Sequence, residues 1–140
     1  MKIIGWREAF SFPGLGIDSI HAKIDTGAKT SCLHAFYVEK FDAEDGRAMV
    51  RFGVHPQQQS DKKAIHCEVP LFDERYVTDS GGHRTKRCVI KVALQAGDQR
   101  FDIEVTLTDR DQMKFRMLLG RSAMSGRFTV DPSKSYLLTN

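Results

Sequence analysis

The chain contains no run of about 18 apolar residues, which excludes a membrane-spanning helix, and its opening residues, Met-Lys-Ile-Ile-Gly-Trp-Arg-Glu, interrupt any signal core with charge. Cysteine is sparse. Cys32, Cys67 and Cys88 are odd in number and lie on segments that read as extended; this is no disulfide framework and points to a reducing, cytoplasmic setting. Charge of one sign is also lacking, because the net charge is +3 and basic residues are interleaved with acids. Neither nucleic acid nor a membrane is expected as a partner. There is no Gly-rich phosphate loop of the G-x-x-x-x-G-K-[ST] type and no His-Glu-x-x-His pair. Metal-ligand spacing is equally poor. His66 and Cys67 are adjacent, so on a strand they point to opposite faces, and His83 and Cys88, five apart, also project oppositely. His21, His34 and His55 read as half-exposed strand or loop residues, and Cys32 as a small buried one.

What is present is the material of one folded domain, residues 1–140, with 41% hydrophobic and 28% charged residues. The apolar period is two almost everywhere. "RFDIEVTLTD" places Phe101, Ile103, Val105 and Leu107 on one face and Asp102, Glu104, Thr106 and Thr108 on the other. "CVIKVALQA" alternates in the same way, and the intervening Ala96-Gly97-Asp98 has turn chemistry. Asp45-Gly46 and Ser80-Gly81-Gly82 predict two further hairpins. The segment 55–63 reads as a loop. The one expected helix is short, Arg121 to Ser125, ended by Gly126. The class is all-β, a closed barrel or a sandwich.

Within "AKIDTGAKTSCLHA", an apolar run ends on Asp25-Thr26-Gly27. Alone, this tripeptide is ordinary turn chemistry. About 90 residues later "FRMLLGRSAM" runs a buried apolar pair, Leu118 and Leu119, into Gly120, Arg121 and the short helix. The two elements in this order and class are specific.

Asp25-Thr26-Gly27-Ala28 resembles the active-site motif of retropepsins, and Leu118-Leu119-Gly120-Arg121 resembles the apolar-apolar-Gly-Arg element of those half-size aspartic proteases. With "GWRE" and "LTDRDQMKFRMLLGR" included, nearly the whole chain is similar to the bacterial retropepsin-like family often labelled "ATP-dependent zinc protease". The resemblance implies a closed barrel of the acid-protease type with one short helix near the C-terminus. It implies an aspartic peptidase; against the label, the lack of a phosphate loop and of a metal-ligand pair leads to the expectation of no cofactor and no metal.

Peptide hydrolysis of this class needs two carboxylates about 3 Å apart sharing one proton. One chain offers one Asp25, so a homodimer is expected to bring the second across a two-fold axis. The resemblance gives Thr26 a hydrogen bond across that axis, while Gly27 admits the substrate backbone and Ala28 avoids bulk. Leu118, Leu119 and Gly120 are expected beneath the loop, and the hairpin tipped by Ser80, Gly81 and Gly82 is placed where the family has its flap. One departure is Lys29, where viral relatives carry an acid that pairs with the later arginine; Arg121 therefore needs another partner. Residues 41–70 have no counterpart in the viral enzymes. Lys23, two before Asp25 on an extended strand, and Lys29 border the expected cleft and favour an acidic peptide or protein substrate. That suits the family's association with ATP-grasp ligases that add glutamates to proteins. The competing readings are a peptide-binding domain of the same fold that cleaves nothing, and a zinc-dependent hydrolase.

Overall fold

The computed structural model describes residues 1–57, 62–78, 81–109 and 114–139, and its regular structure is nearly all strand. In chain order the strands are β1 (Lys2–Ile4), β2 (Arg7–Phe12), β3 (Ile17–Ile24), β4 (Ser31–His34), β5 (Tyr37–Asp42), β6 (Ala48–Val54) and β7 (Ile65–Pro70). They continue as β8 (Asp73–Thr78), β9 (Arg84–Ala96), β10 (Gln99–Thr108), β11 (Met117–Leu119) and β12 (Phe128–Val130), with the helix α1 (Arg121–Met124) between the last two. No helix among the described residues is long and apolar enough to cross a membrane.

Six strands close on themselves in the order β10, β4, β11, β3, β2, β9, because β9 pairs back onto β10; β8 extends β9 outward. The expected closed barrel with a short C-terminal helix is therefore the observed fold. Alternation explains the closure. Ile90 pairs with Val105, Leu33 with Leu107 and Met117, and Met117 with Ala22. All are buried, so each strand delivers every second residue to one interior. The β9–β10 hairpin turns at Gly97-Asp98, where Gly97 has φ 61°, and β5–β6 turns where Gly46 has φ 86°. Both are left-handed conformations that glycine takes without a Cβ penalty.

Residues 41–70, for which the sequence suggested no role, contribute most of a three-stranded sheet in the order β5, β6, β7. Its Val50, Phe52, Val54 and Cys67 join the common core. Burying Phe52 completely stabilises the fold by about 1.5–3 kcal/mol.

The polar face expected for β10 is corrected at its C-terminal end, where Thr106 and Thr108 are buried. Thr106 sits between strands on both sides, pairing with Cys32 and Val89, and its hydroxyl donates to the Ser31 carbonyl at 3.3 Å. Thr108 Oγ1 lies 2.8 Å from His34 Nδ1. A hydroxyl with a partner is inexpensive to bury. The same contact corrects the expectation that His34 is half-exposed, since His34 is buried against β10.

Candidate active site

The site is built from a topological crossing. β11 lies between β3, with which it is parallel, and β4, with which it is antiparallel. The chain leaving β3 at Ile24 must therefore pass over the end of β11 to enter β4 at Ser31. Asp25-Thr26-Gly27 begins that crossing. Asp25 N–H donates to the Leu119 carbonyl at 2.9 Å, so the aspartate is held to the end of β11. Its Oδ1 accepts from Gly27 N–H at 3.0 Å, and its carbonyl accepts from Ala28 N–H at 3.2 Å. Asp25 is half-buried, while Thr26 and Gly27 are exposed.

Beneath the crossing the backbones nearly touch. A Cβ on Gly120 would lie 2.6 Å from the Thr30 carbonyl carbon and 2.9 Å from Ser31 N, so only glycine fits there. Gly120 N–H donates to the Ser31 hydroxyl at 3.0 Å. Ser31 is fully buried. The sequence reading passed over it, although a serine opening the otherwise buried strand "SCLH" is the kind of residue that needs an internal partner.

Arg121 supplies the remaining restraint. Its Nη1 donates to the Thr26 and Gly27 carbonyls, both at 3.0 Å, its N–H donates to the Ala28 carbonyl at 2.8 Å, and Ser122 N–H donates to the Lys29 carbonyl at 3.0 Å. Four consecutive carbonyls of the loop are thus held from one short segment. Lys29 removed the acid that would pair with Arg121, and main-chain oxygens take its place.

With this geometry in view, comparison with known proteins decides the family. A sequence model of the RimB-like family, "Retropepsin-like aspartic endopeptidase RimB", matches residues 3–140. The chain belongs to that family. A crystal structure of a Legionella pneumophila protein, whose function is given as unknown, superposes with a TM-score of 0.80 at 26% identity over 98% of both chains. A Shewanella pealeana protein named "Probable alpha-L-glutamate ligase" is 45% identical over 136 residues, 97% of this chain and 30% of its own. A Desulfotalea psychrophila protein of the same name is 45% identical over 132 residues, 94% of this chain and 28% of its own. The chain thus spans under a third of the length of these curated relatives.

The other expected residues of this RimB-like chain fall as follows. Lys23 and Lys29 are exposed on either side of Asp25. Leu118 is half-buried and pairs with Lys23 on one side and Cys32 on the other. β8 and β9 form the hairpin proposed as a flap, paired from Asp73–Val89 to Thr78–Arg84. Gly81 and Gly82 are exposed at its end, with Gly82 at φ 83°, and Ser80 lies outside the described residues. Cys32, Cys67 and Cys88 are all buried, and none is joined in a disulfide among the described residues. His66 is exposed with Nδ1 2.9 Å from the Tyr37 hydroxyl, whereas Cys67 is buried on the other face. Burial pushes the Cys67 thiol up to about 11. An open groove of about 670 Å³ adjoins the loop, with Thr26 and Arg121 at one side and Met124, Phe128 and Val130 supplying apolar surface.

Proposed function

We propose that this chain is an aspartic peptidase whose carboxylate pair is completed by a second copy of itself, each subunit contributing Asp25. The observation that carries this reading is the clamp: Asp25 opens a loop whose next four carbonyls are all held from Arg121 and Ser122. A turn with only a structural role needs no such restraint, whereas a carboxylate that must meet its twin within hydrogen-bond reach does. Exposed Thr26 and Gly27, beside an apolar groove, support a partner seated on that side.

In the assembled pair one carboxylate is ionised and the other protonated. The ionised one takes a proton from water as the oxygen attacks the scissile carbonyl carbon, and the other gives its proton to the carbonyl oxygen. Collapse of the resulting diol breaks the C–N bond, and the departing amine takes a proton from the dyad.

The substrate class proposed is an acidic peptide. Lys23 and Lys29 flank Asp25, and the relatives named as glutamate ligases contain a segment similar to this chain. The two activities would then meet on one glutamate-bearing substrate.

Asp25→Asn tests the reading directly. The change is nearly isosteric, so the folded protein should persist while cleavage of glutamate-rich peptides is lost. Cleavage within about tenfold of the parent would place the chemistry elsewhere. Prolonged chelation should leave the parent's rate unchanged, whereas a zinc hydrolase would lose its activated water.

A further inference from the structure

The β9–β10 ladder runs from Ala96–Gln99 to Val89–Thr106 and then opens. Past that point, among the described residues, β9 pairs only with β8, as far as Thr78–Arg84, while β10 continues beside β4 to Thr108–His34. Side chains do not fill the fork between the two strands. It holds a cavity of about 310 Å³, bordered on a third side by Val38 and Lys40 of β5. That volume lies at the small end for a ligand site. The cavity shares no lining residue with the groove beside the Asp25 loop.

Three cations line it, and their counter-charges are unevenly shared. Lys40 and Lys86 converge on one carboxylate, Glu74, at 3.2 and 3.9 Å. Arg87 forms no ion pair among the described residues: its Nε donates to the Thr85 hydroxyl at 3.3 Å, and its Nη1 lies 3.9 Å from Cys32 Sγ. Opposite it in the β8–β9 ladder stands Arg75, a like charge that repels it. Asp73, at 2.8 Å, and Glu104, in a close pairing, are both bound to Arg75. The one acid on the cavity wall is Asp109, which is exposed. Set against Glu74 and Asp109, the cations Lys40, Lys86 and Arg87 leave one positive charge over, and it rests on Arg87. Arg87 is half-buried. A charge taken partly out of water without a counter-charge is costly, so an incoming anion is favoured there.

The rest of the wall is neutral. Leu107 and Cys88 are buried and Val38 is half-buried. Burial pushes the Cys88 thiol up and the nearby Glu74 charge adds to this, so the thiol stays protonated at neutral pH.

We infer that this cavity binds a small monocarboxylate, with its carboxylate on Arg87 and a short apolar stem against Val38 and Leu107. One negative charge matches the one left over. A planar carboxylate also fits the parallel N–H donors of a guanidinium, and partial burial strengthens the pair. Lys40 and Lys86 add attraction at longer range, where salt screens it. The inference is independent of whether Asp25 cleaves peptides.

Butyrate supplies this chemistry in its simplest form. It is titrated into the ¹⁵N-labelled full chain at constant ionic strength and followed by amide chemical shifts, with neutral butyramide and inorganic phosphate as controls. Butyrate should move the amides of residues 85–88 and 107–109 saturably, and butyramide should not. Arg87→Gln should weaken butyrate by about tenfold or more, equivalent to one good charged pair. Asp109→Asn removes the acid on the wall and should tighten it. Arg87→Lys keeps the charge without the fork and should fall between; with Asp109→Asn it decides the matter if Arg87→Gln does not fold. Butyrate binding that is the same in the Arg87 variants as in the parent overturns the inference, as do shifts that never saturate. Phosphate moving the same amides as effectively as butyrate overturns it too, because the cavity would then be a general anion patch.

Discussion

Arg121 and Thr26, 95 residues apart in sequence, are joined by a hydrogen bond of 3.0 Å from Nη1 to the Thr26 carbonyl, and the same nitrogen reaches the Gly27 carbonyl at 3.0 Å. A side chain on the helix that follows β11 thereby fixes the loop that crosses over β11. The bond has a consequence for charge as well as for shape. Because its partners are carbonyls, Arg121 keeps a net positive charge beside Asp25, where an acid-paired arginine would be neutralised.

Arg121→Lys should therefore loosen the loop while keeping the charge. One ammonium on a flexible stem cannot reproduce a planar donor aimed at two carbonyls. The bonds are solvent-exposed, so the stability cost is small, about 1 kcal/mol. Cleavage of an acidic peptide should fall by about tenfold or more, since a loosely held carboxylate misses its partner. Thermal melts and initial rates measure the two effects. A rate that changes no more than stability does would show that the clamp is only structural.

Much of this was legible in the sequence because the signals were local. Alternation fixed β9 and β10, glycines marked the hairpins at Gly46 and Gly97, and Asp25-Thr26-Gly27 with Leu118-Leu119-Gly120-Arg121 named two elements that the fold brings together. What escaped depends on contacts between distant strands. Thr106 and Thr108 alternate like solvent-facing residues, yet they are buried because β4 supplies partners 74 and 75 residues away. Ser31 matters through a contact with Gly120, 89 residues away, which no period reveals.

Glu8 shows the same limit. It lies in the quoted "GWRE" stretch, but its role was unreadable: it is fully buried, and its carboxylate accepts from Gly5 N–H at 2.7 Å, Leu137 N–H at 2.9 Å and Leu138 N–H at 3.0 Å. It ties the C-terminal turn to the barrel. Glu8→Gln turns an NH₂ group toward N–H donors, so at least one bond is lost and a buried donor is left unsatisfied. The expected loss is about 2–4 kcal/mol, read as a melting temperature lower by roughly 5–15 °C. An unchanged melting temperature would show that the carboxylate does not hold the turn.

Cys67 predicts an alkaline limit. Its thiol lies 3.7 Å from the Leu15 carbonyl in the core, and burial raises its pKa from the model-compound 9.0 to about 11. A pKa raised in the folded state means that the fold prefers the protonated thiol. This stabilisation is complete below pH 9 and is lost as pH rises through 11, costing on the order of 2 kcal/mol. Denaturant midpoints of the parent should decline over that window more steeply than those of Cys67→Ala. Parallel declines would assign the loss to other groups.

The last prediction concerns the second subunit. If each chain supplies half of a carboxylate pair, a monomer has no activity, and the rate per chain must fall once the concentration drops below the dimer dissociation constant. Dilution alone can mislead, since proteins are also lost to surfaces. Mixing is cleaner. Asp25→Asn chains keep the loop clamp, because none of the four clamped carbonyls belongs to Asp25, and so they should pair with active chains as readily as active chains pair with each other. After equilibration of equal amounts, about a quarter of the dimers hold two intact aspartates, whereas independent monomers would keep about half of the sites. Thr129→Arg offers a second approach, because Thr129 is exposed on the groove beside Thr26 and a bulky cation there should impede the partner. Its activity loss should be recovered by raising the protein concentration, as sedimentation shows the dimer returning. Activity that follows the fraction of intact chains, with no excess loss on mixing, would mean that one Asp25 suffices and that the two-chain site is wrong.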